Sequence, residues 1–465
     1  VIDLGLVADL WDDVGGSASA LDRLLISGPE GVLPSVFDVT GFATATVAAA
    51  ALAVAELGAV RRGDQVPRVV VDRLAASASF AFERLLEPLG WELPPVWDSV
   101  AGDYETEDGW IKLHTNYHHH RDAALEVLGV PADRKAVAAE VARWPGDALE
   151  SAVVAADGCA AVMRTAHEWS AHPAGRATAD DRPVTIGAPI PTPRGVGPDL
   201  AQSAGPAPLA GLRVLDLTRV IAGPVATRYL AAYGAEVLRI DPPGFEEVPA
   251  LLPESTVGKR CASLDLRHAA DRRAFETLVA AAHVVVAGLR PGALSGLGYG
   301  PGQLRSINPA VVTVTLDAYG WTGPWSHRRG FDSLVQMSTG IAAEGAAAAR
   351  TDRPTPLPVQ ALDHGLGHLL VAATCRAITR LLVDEVTADV RGSLVGVSNF
   401  VKATHGATDR TETPVTVASA PLEEGHTAWG PVRRTPLAGR IEGTPPSWSV
   451  AAGPLGRHPA AFVVR

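Results

Sequence analysis

The stretch LPVQALDHGLGHLLVAAT, residues 357–374, sets one carboxylate, Asp363, where an extended segment turns into an apolar helix. Two chemistries fit that position. A helix N-terminus offers free N–H groups and partial positive charge. As a cap, Asp363 would accept hydrogen bonds from those groups. As a reagent, it would be kept ionised by them at neutral pH, attack an activated acyl carbon and form a mixed anhydride. The same N–H groups would then hold the developing oxyanion. Gly365 and Gly367 are expected to leave room for substrate.

A second carboxylate stands in a similar setting. LPSVFDVTGFATATVAAAALAVAEL (33–57) echoes LPVQALDHGLGHLLVAATCRAITRL (357–381), and each leads into a β-rich stretch. The shared order of features points to duplication, with Asp38 as the relic counterpart of Asp363 and only a helix cap. NYHHHRD (116–122) suggests a metal, but consecutive histidines do not share one face. No Cys or Glu cluster completes a ligand set. Exposed loop histidines, and no metal, are expected there.

The elements that must position Asp363 are clearest after residue 208. LRVLDLT (212–218) reads as a buried strand, RVIAGP as a turn with Gly223-Pro224 opening a helix, and VATRYLAAYG as that helix. AEVLRID (235–241), HVVVAGL (283–289) and AVVTVTLDAYG (310–320) read as further strands, and DRRAFETLVAAA (271–282) as a helix between two of them. Such alternation predicts an α/β fold, a Rossmann-like parallel sheet with crossover helices in a large domain beside a smaller α+β domain. No G-x-G-x-x-G follows the first strand, which points away from NAD and FAD. In the first half, PRVVVDRL (67–74) reads as a strand and YETEDGWIKLHTN (104–116) as a hairpin about Asp108-Gly109. The expected organisation is a partial large-domain copy over 1–90, a small domain over 91–185 and a linker over 186–207. A Rossmann-like domain over 208–400 and an irregular wrapping tail over 401–465 follow.

Composition bounds the function. A net charge of −11 argues against nucleic acid as the main partner. Three scattered cysteines, Cys159, Cys261 and Cys375, form neither a disulfide framework nor a zinc spacing and fit a reducing cytoplasm. The most apolar window, 42–55, is short for a membrane span and predicts a buried helix. No signal peptide is evident.

Five ordered segments resemble the class III CoA-transferases, also called the CaiB–BaiF family, which includes formyl-CoA and carnitine CoA-transferases and 2-methylacyl-CoA racemases. They are LAGLRVLDLTRVIAGPVATRYLAAYGAEVLRIDPP (209–243), GKRCASLDLR (258–267), VVVAGLRPGAL (284–294), AYGWTGPWSHRRGFDSLVQMSTG (318–340) and ALDHGLGHLLVAA (361–373). The resemblance implies coenzyme A, bound as an acyl-CoA substrate, and a carboxylic acid acceptor. Asp363 would be the nucleophile and Gln336 would contact the reacting region. CoA would run along Val220, Ile221 and Ala222, with Arg219, Lys259, Arg260 and Arg290 as phosphate contacts. Family members form interlocked dimers, so a homodimer is implied, with no membrane or nucleic-acid partner.

The sequence also departs from the family. Pro242 follows Asp241 where the family often has Arg, and Gly288 replaces an Asn. Gly330-Phe331-Asp332 stands where racemases carry Gly-His-Asp, and phenylalanine cannot move a proton. The small-domain-like part precedes the Rossmann-like part, as though the back of one copy were fused to the front of another. The expected function is CoA transfer through an aspartyl anhydride and thioester. A racemase or isomerase, and a non-catalytic acyl-CoA-binding relative, are the alternatives.

Overall fold

The computed structural model describes residues 2–193, 207–406 and 416–463. In the first half the labelled elements are β1 (Leu24–Ser27), α1 (Val39–Arg62), β2 (Val69–Asp72), α2 (Arg73–Ser79) and α3 (Phe82–Leu85). They are followed by β3 (Gly102–Glu105), β4 (Trp110–Leu113), α4 (His118–Leu128), β5 (Ala160–Val162) and β6 (Val184–Ile186). The second half holds β7 (Arg213–Leu217), α5 (Ala222–Ala232), β8 (Glu236–Asp241), β9 (Lys259–Ser263), α6 (Ala269–Ala281) and β10 (Val284–Ala287). After them come β11 (Val312–Asp317), α7 (Asp332–Ser338), α8 (Ala361–Asp384), β12 (Asp389–Ser393), α9 (Leu394–Lys402), β13 (Glu423–Thr427) and β14 (Gly430–Arg434).

The fold is α/β. Seven strands form one sheet in the order β9-β8-β7-β10-β11-β12-β6. The first six are parallel, and β6 closes the edge antiparallel to β12. The chain order reverses between β7 and β10, which opens a crevice beyond their carboxyl ends. Val214, Val284, Val286, Val312 and Val314 are buried, as strands covered on both faces require. Beside this sheet, β3, β4 and β5 form an antiparallel sheet packed under α4, the smaller α+β part.

The first half repeats one unit of the second. β1 and β2 are parallel neighbours joined through α1, as β11 and β12 are through α8. Both helices have 24 residues and are buried almost all round. That marks core helices rather than surface amphipathic ones. Both are long and apolar enough to cross a membrane by length and composition, which corrects the expectation that the first was too short, yet they lie buried in the protein.

The helix starts match in detail. Asp38 (φ −77°, ψ 72°) precedes α1 and Gln360 (φ −75°, ψ 64°) precedes α8. That register pairs Asp38 with Gln360 and Gly41 with Asp363. Asp38 Oδ1 accepts the Gly41 N–H at 2.7 Å, so Asp38 is a cap. It is not the positional counterpart of Asp363, because the segment from Leu-Pro to the helix cap, Pro34 to Asp38, is two residues longer before α1 than the corresponding Pro358 to Gln360 before α8.

The two halves exchange edges. β6 comes from the first half yet joins the second-half sheet. Residues 190–191 pair with 386–387. The linker expected over 186–207 thus begins as paired strands, and its remainder, 194–206, lies outside the described residues. In return, residues 440–441 pair with β2, and the hairpin β13–β14 pairs with residues 87–88. The tail expected to be irregular therefore carries a hairpin, while its residues 407–415 and 464–465 lie outside the described ones.

Glycine permits the closest helix contacts. A Cβ at Gly365 would sit 2.3 Å from the Phe42 ring on α1. One at Gly367 would sit 2.6 Å from the Ala222 carbonyl oxygen and from Val225 on α5. These glycines make room for neighbouring helices, not for substrate as expected. Gly365→Ala should destabilise the fold by about 1–3 kcal/mol through overpacking. In urea unfolding, Gly365→Ala combined with Phe42→Ala should cost less than the sum of the two single changes, because the contact is shared.

Candidate active site

Asp363 lies in the first turn of α8, and a carboxylate from α7 fixes where that helix begins. Asp332 Oδ2 accepts the N–H groups of Leu362 at 2.8 Å and Asp363 at 3.0 Å. Its other oxygen accepts from the Gln336 amide at 2.5 Å. Gln336 in turn accepts the Leu357 N–H at 2.8 Å. Gln336 is buried with both ends of its amide occupied, and it does not line the cleft, so the expected contact with reacting groups is corrected to a support. The N–H groups that were to hold an oxyanion are likewise taken, two of them by Asp332.

The Asp363 carboxylate faces a cleft of about 390 Å³ beyond the crevice between β7 and β10. It takes no hydrogen bond from the described residues. Burial, then the charges of Asp332 and Glu83, push its pKa well above the usual carboxylate range. This corrects the expectation that the helix N-terminus keeps it ionised: N–H groups already given to Asp332 lend it little. Burial also pushes Asp332 up to about 6.

Three loops beyond the sheet line the cleft. Arg219, Val220 and Ala222 follow β7; Gly288, Leu289 and Arg290 follow β10; Asp317 and Ala318 end β11. Of the other expected contacts, Ile221 is buried in an apolar cluster with Phe82, Val225, Val248 and Leu251 and is absent from the cleft lining. Lys259 is wholly buried, donating to Asp216 at 2.9 Å and to the Pro224 carbonyl at 3.2 Å, so it ties β9 to β7 and α5 and cannot reach a phosphate. Arg260 stands on the edge strand β9, two strands from the crevice, and does not line the cleft.

The small α+β part supplies the opposite wall, which the sequence reading missed. Tyr117, His119 and His120 line the cleft, with Phe245, Phe331, Arg328 and Arg329 beside them. The histidine run starts α4 rather than forming a loop. His118 is exposed and pairs with Glu246, but His120 is buried, and burial pulls its pKa down to about 3. Phe331 stacks on His114 at 3.7 Å between ring centroids. Among the described residues no group of three His, Cys, Asp or Glu side chains could hold a metal ion.

Glu247 joins this wall to the floor. Its carboxylate accepts from Tyr117 Oη at 2.8 Å, from the Val220 N–H at 3.1 Å and from Arg239 at 2.9 Å. Val220 has φ 63°, a costly conformation for a β-branched residue. Arg219 lies over the Phe245 ring at 3.5 Å. Arg328 donates to Glu150 and to the Ala160 carbonyl, and Arg329 to Asp157, so both span from the large sheet to the small part. Arg290 is exposed, and no ion pair is seen for it among the described residues. His364 and His368 face away from the cleft, into the core. His364 Nε2 meets Glu83 at 3.2 Å, and His368 Nδ1 donates to the His364 carbonyl at 2.9 Å.

Residues 209–432 match the family described as CoA-transferase family III. The probable fatty acyl-CoA transferase Rv3272 of Mycobacterium tuberculosis is 34% identical over 190 residues, 37% of this chain and 46% of that protein. The acetyl-coenzyme A transferase nodX of Hypoxylon pulicicidum is 37% identical over 158 residues, 33% of this chain and 27% of that protein. The succinyl-CoA:glutarate CoA-transferase of Mus musculus is 35% identical over 146 residues, 29% of this chain and 34% of that protein. A crystal structure of Rv3272 covers 42% of this chain and 58% of its own at 31% identity, with a TM-score of 0.39. The chain thus spans less than half the length of these curated relatives. Residues 209–432 are the part of this chain that is similar to CoA-transferase family III.

Proposed function

We propose that this protein transfers coenzyme A from an acyl-CoA to a carboxylic acid, with Asp363 as nucleophile. The observation that carries the reading is the Asp363 carboxylate, without a hydrogen-bond partner among the described residues, at a cleft beyond the sheet's switch point and within the family-matched segment. Arg219, Arg290, Arg328 and Arg329 line the same cleft and suit an anionic ligand. CoA, with its phosphates, is such a ligand, and its fit here draws on arginines rather than on Lys259 or Arg260.

In this reading an Asp363 oxygen attacks the thioester carbonyl carbon. The carbon–sulfur bond breaks, and CoA leaves as thiolate from a mixed anhydride. The thiolate attacks the aspartyl carbonyl, which releases the donor as its carboxylate and leaves an aspartyl-CoA thioester. The acceptor carboxylate displaces the thiolate and forms a second anhydride. Attack of the thiolate on the acceptor's acyl carbon yields the new acyl-CoA and frees Asp363. Asp332 and Gln336 hold the turn that carries the nucleophile. Racemisation is disfavoured because Phe331, not a proton carrier, stands in the cleft wall beside Asp332, and burial pulls the pKa of the cleft histidine His120 down to about 3.

Asp363→Asn should abolish transfer while CoA binding, followed calorimetrically, persists. Hydroxylamine added with acetyl-CoA or succinyl-CoA should convert Asp363 to a hydroxamate detectable by peptide mass. A protein that only binds acyl-CoA would give none. Activity should rise with pH as Asp363 loses its proton, from a midpoint above the ordinary carboxylate range. Asp332→Asn removes one repelling charge and keeps an acceptor oxygen. It should move that acid limb to lower pH by about one unit, as read from kcat/KM against pH.

A further inference from the structure

Glu83 belongs to the first half of the chain, on α3, yet it sits against the turn that carries Asp363. Its carboxylate is buried and meets His364 Nε2 at 3.2 Å. The histidine ring is wholly buried, stacked on Phe80 at 5.3 Å and edge-on to Phe82 at 4.9 Å. Its other nitrogen, Nδ1, is buried with no hydrogen-bond partner among the described residues. His364 therefore has one polar anchor, Glu83, and it adjoins Asp363 in the chain. Phe80, Phe82 and Glu83 form a three-sided socket for the residue next to the nucleophile, and every side of it comes from the first half.

We infer that Glu83 is a positioning residue for the transfer chemistry: from the first half of the chain its buried carboxylate anchors His364, so orients the turn that carries Asp363, and acts on the nucleophile as a second charge. The inference rests on Asp363 being the nucleophile. The chemistry explains the use of such a charge. A carboxylate near a second one holds its proton to higher pH and, once ionised, is the stronger nucleophile, since nucleophilicity falls as pKa falls. Removing Asp332 to tune Asp363 would also uncap α8, whereas Glu83 touches no backbone N–H of that turn. The first half thus supplies an electrostatic setting without a structural cost to the helix start. Besides Glu83, the charge acting on Asp363 is that of Asp332 from α7; the socket also holds the titratable ring of His364, and Arg228 of α5 pairs with Glu254 and lies over the Phe82 ring. Across the cleft stand His119 and the arginines at 219, 290, 328 and 329. None of these is altered by a change confined to residue 83.

The test is a direct titration. Protein carrying aspartate labelled with ¹³C at the side-chain carboxyl gives one resonance that Asp363→Asn removes, and its midpoint can be followed with pH without any substrate. Glu83→Gln keeps the shape and an acceptor for His364 but loses the charge. Its Asp363 midpoint should fall by about one pH unit. Glu83→Asp withdraws the charge by one methylene and should move the midpoint by less, in the same direction. If Glu83→Gln does not fold, the Glu83→Asp shift alone decides. An Asp363 midpoint unchanged in every folded variant overturns the inference and leaves Glu83 a packing residue. Hydroxamate formation at Asp363 with acetyl-CoA or succinyl-CoA is scored separately on the wild type. Its absence would overturn the transferase reading, and its presence with unmoved midpoints would overturn only the role of Glu83.

Discussion

The architecture of the site depends on where one helix starts. Asp332 takes the Leu362 and Asp363 N–H groups and so ends the extended segment and begins α8 at a fixed rotation. Every other relation of Asp363 follows from that rotation: its carboxylate meets the cleft, while His364 and His368 turn to the core. The same interaction carries a cost. A buried carboxylate that caps the helix also repels the carboxylate it positions. Gln336 offsets part of this by donating to Asp332, and Leu357 secures Gln336, so support runs outward in a short chain of buried hydrogen bonds.

Much of the fold was legible because it rests on short-range pattern. The runs RVLDL, EVLRID and VVVA are apolar over strand lengths and are separated by helical segments, and these become β7, β8 and β10 of the parallel sheet. Asp363 stood out because a charge in an apolar helix start is rarely neutral in consequence. The cleft wall was not legible, because it is built by contacts distant in sequence. Tyr117, His119 and His120 meet Phe331 and Arg328 only after the small part docks on the large sheet. The histidine run gave a signal, yet its meaning depended on α4 beginning at His118 and turning successive rings to different neighbours. Lys259 shows the opposite error. Its place in a family segment suggested a phosphate contact, but a cation beside Asp216 in a sheet interior is spent on that partner.

Position, not only residue type, separates the two copies of the aspartate helix. Asp38 and Asp363 both introduce apolar helices after Leu-Pro, and by eye they align. The dihedral angles align differently: Asp38 is the cap outside α1, whereas Asp363 is inside α8 with a separate residue capping it. At the inside position α1 has Gly41. A cap spends its carboxylate on its own helix, and only an aspartate whose helix is capped by another group has oxygens left for chemistry. The first-half copy is therefore a packing element. Its ring at Phe42 fills the space over Gly365, and it delivers α2 and α3 against the turn that does carry a reagent.

The exchange of edges between the halves has a bearing on assembly. One strand of the first half is sewn into the large sheet, and strands of the tail are sewn back into the first half's sheet. Each half leaves an unpaired ladder without the other. A chain severed between them would stay together as two fragments, whereas either fragment made alone would present raw strand edges and be driven to self-association. Synthesis must reach residue 441 before the sheet begun at residue 24 is complete, so the protein's assembly is settled late, when its last segments return to its first.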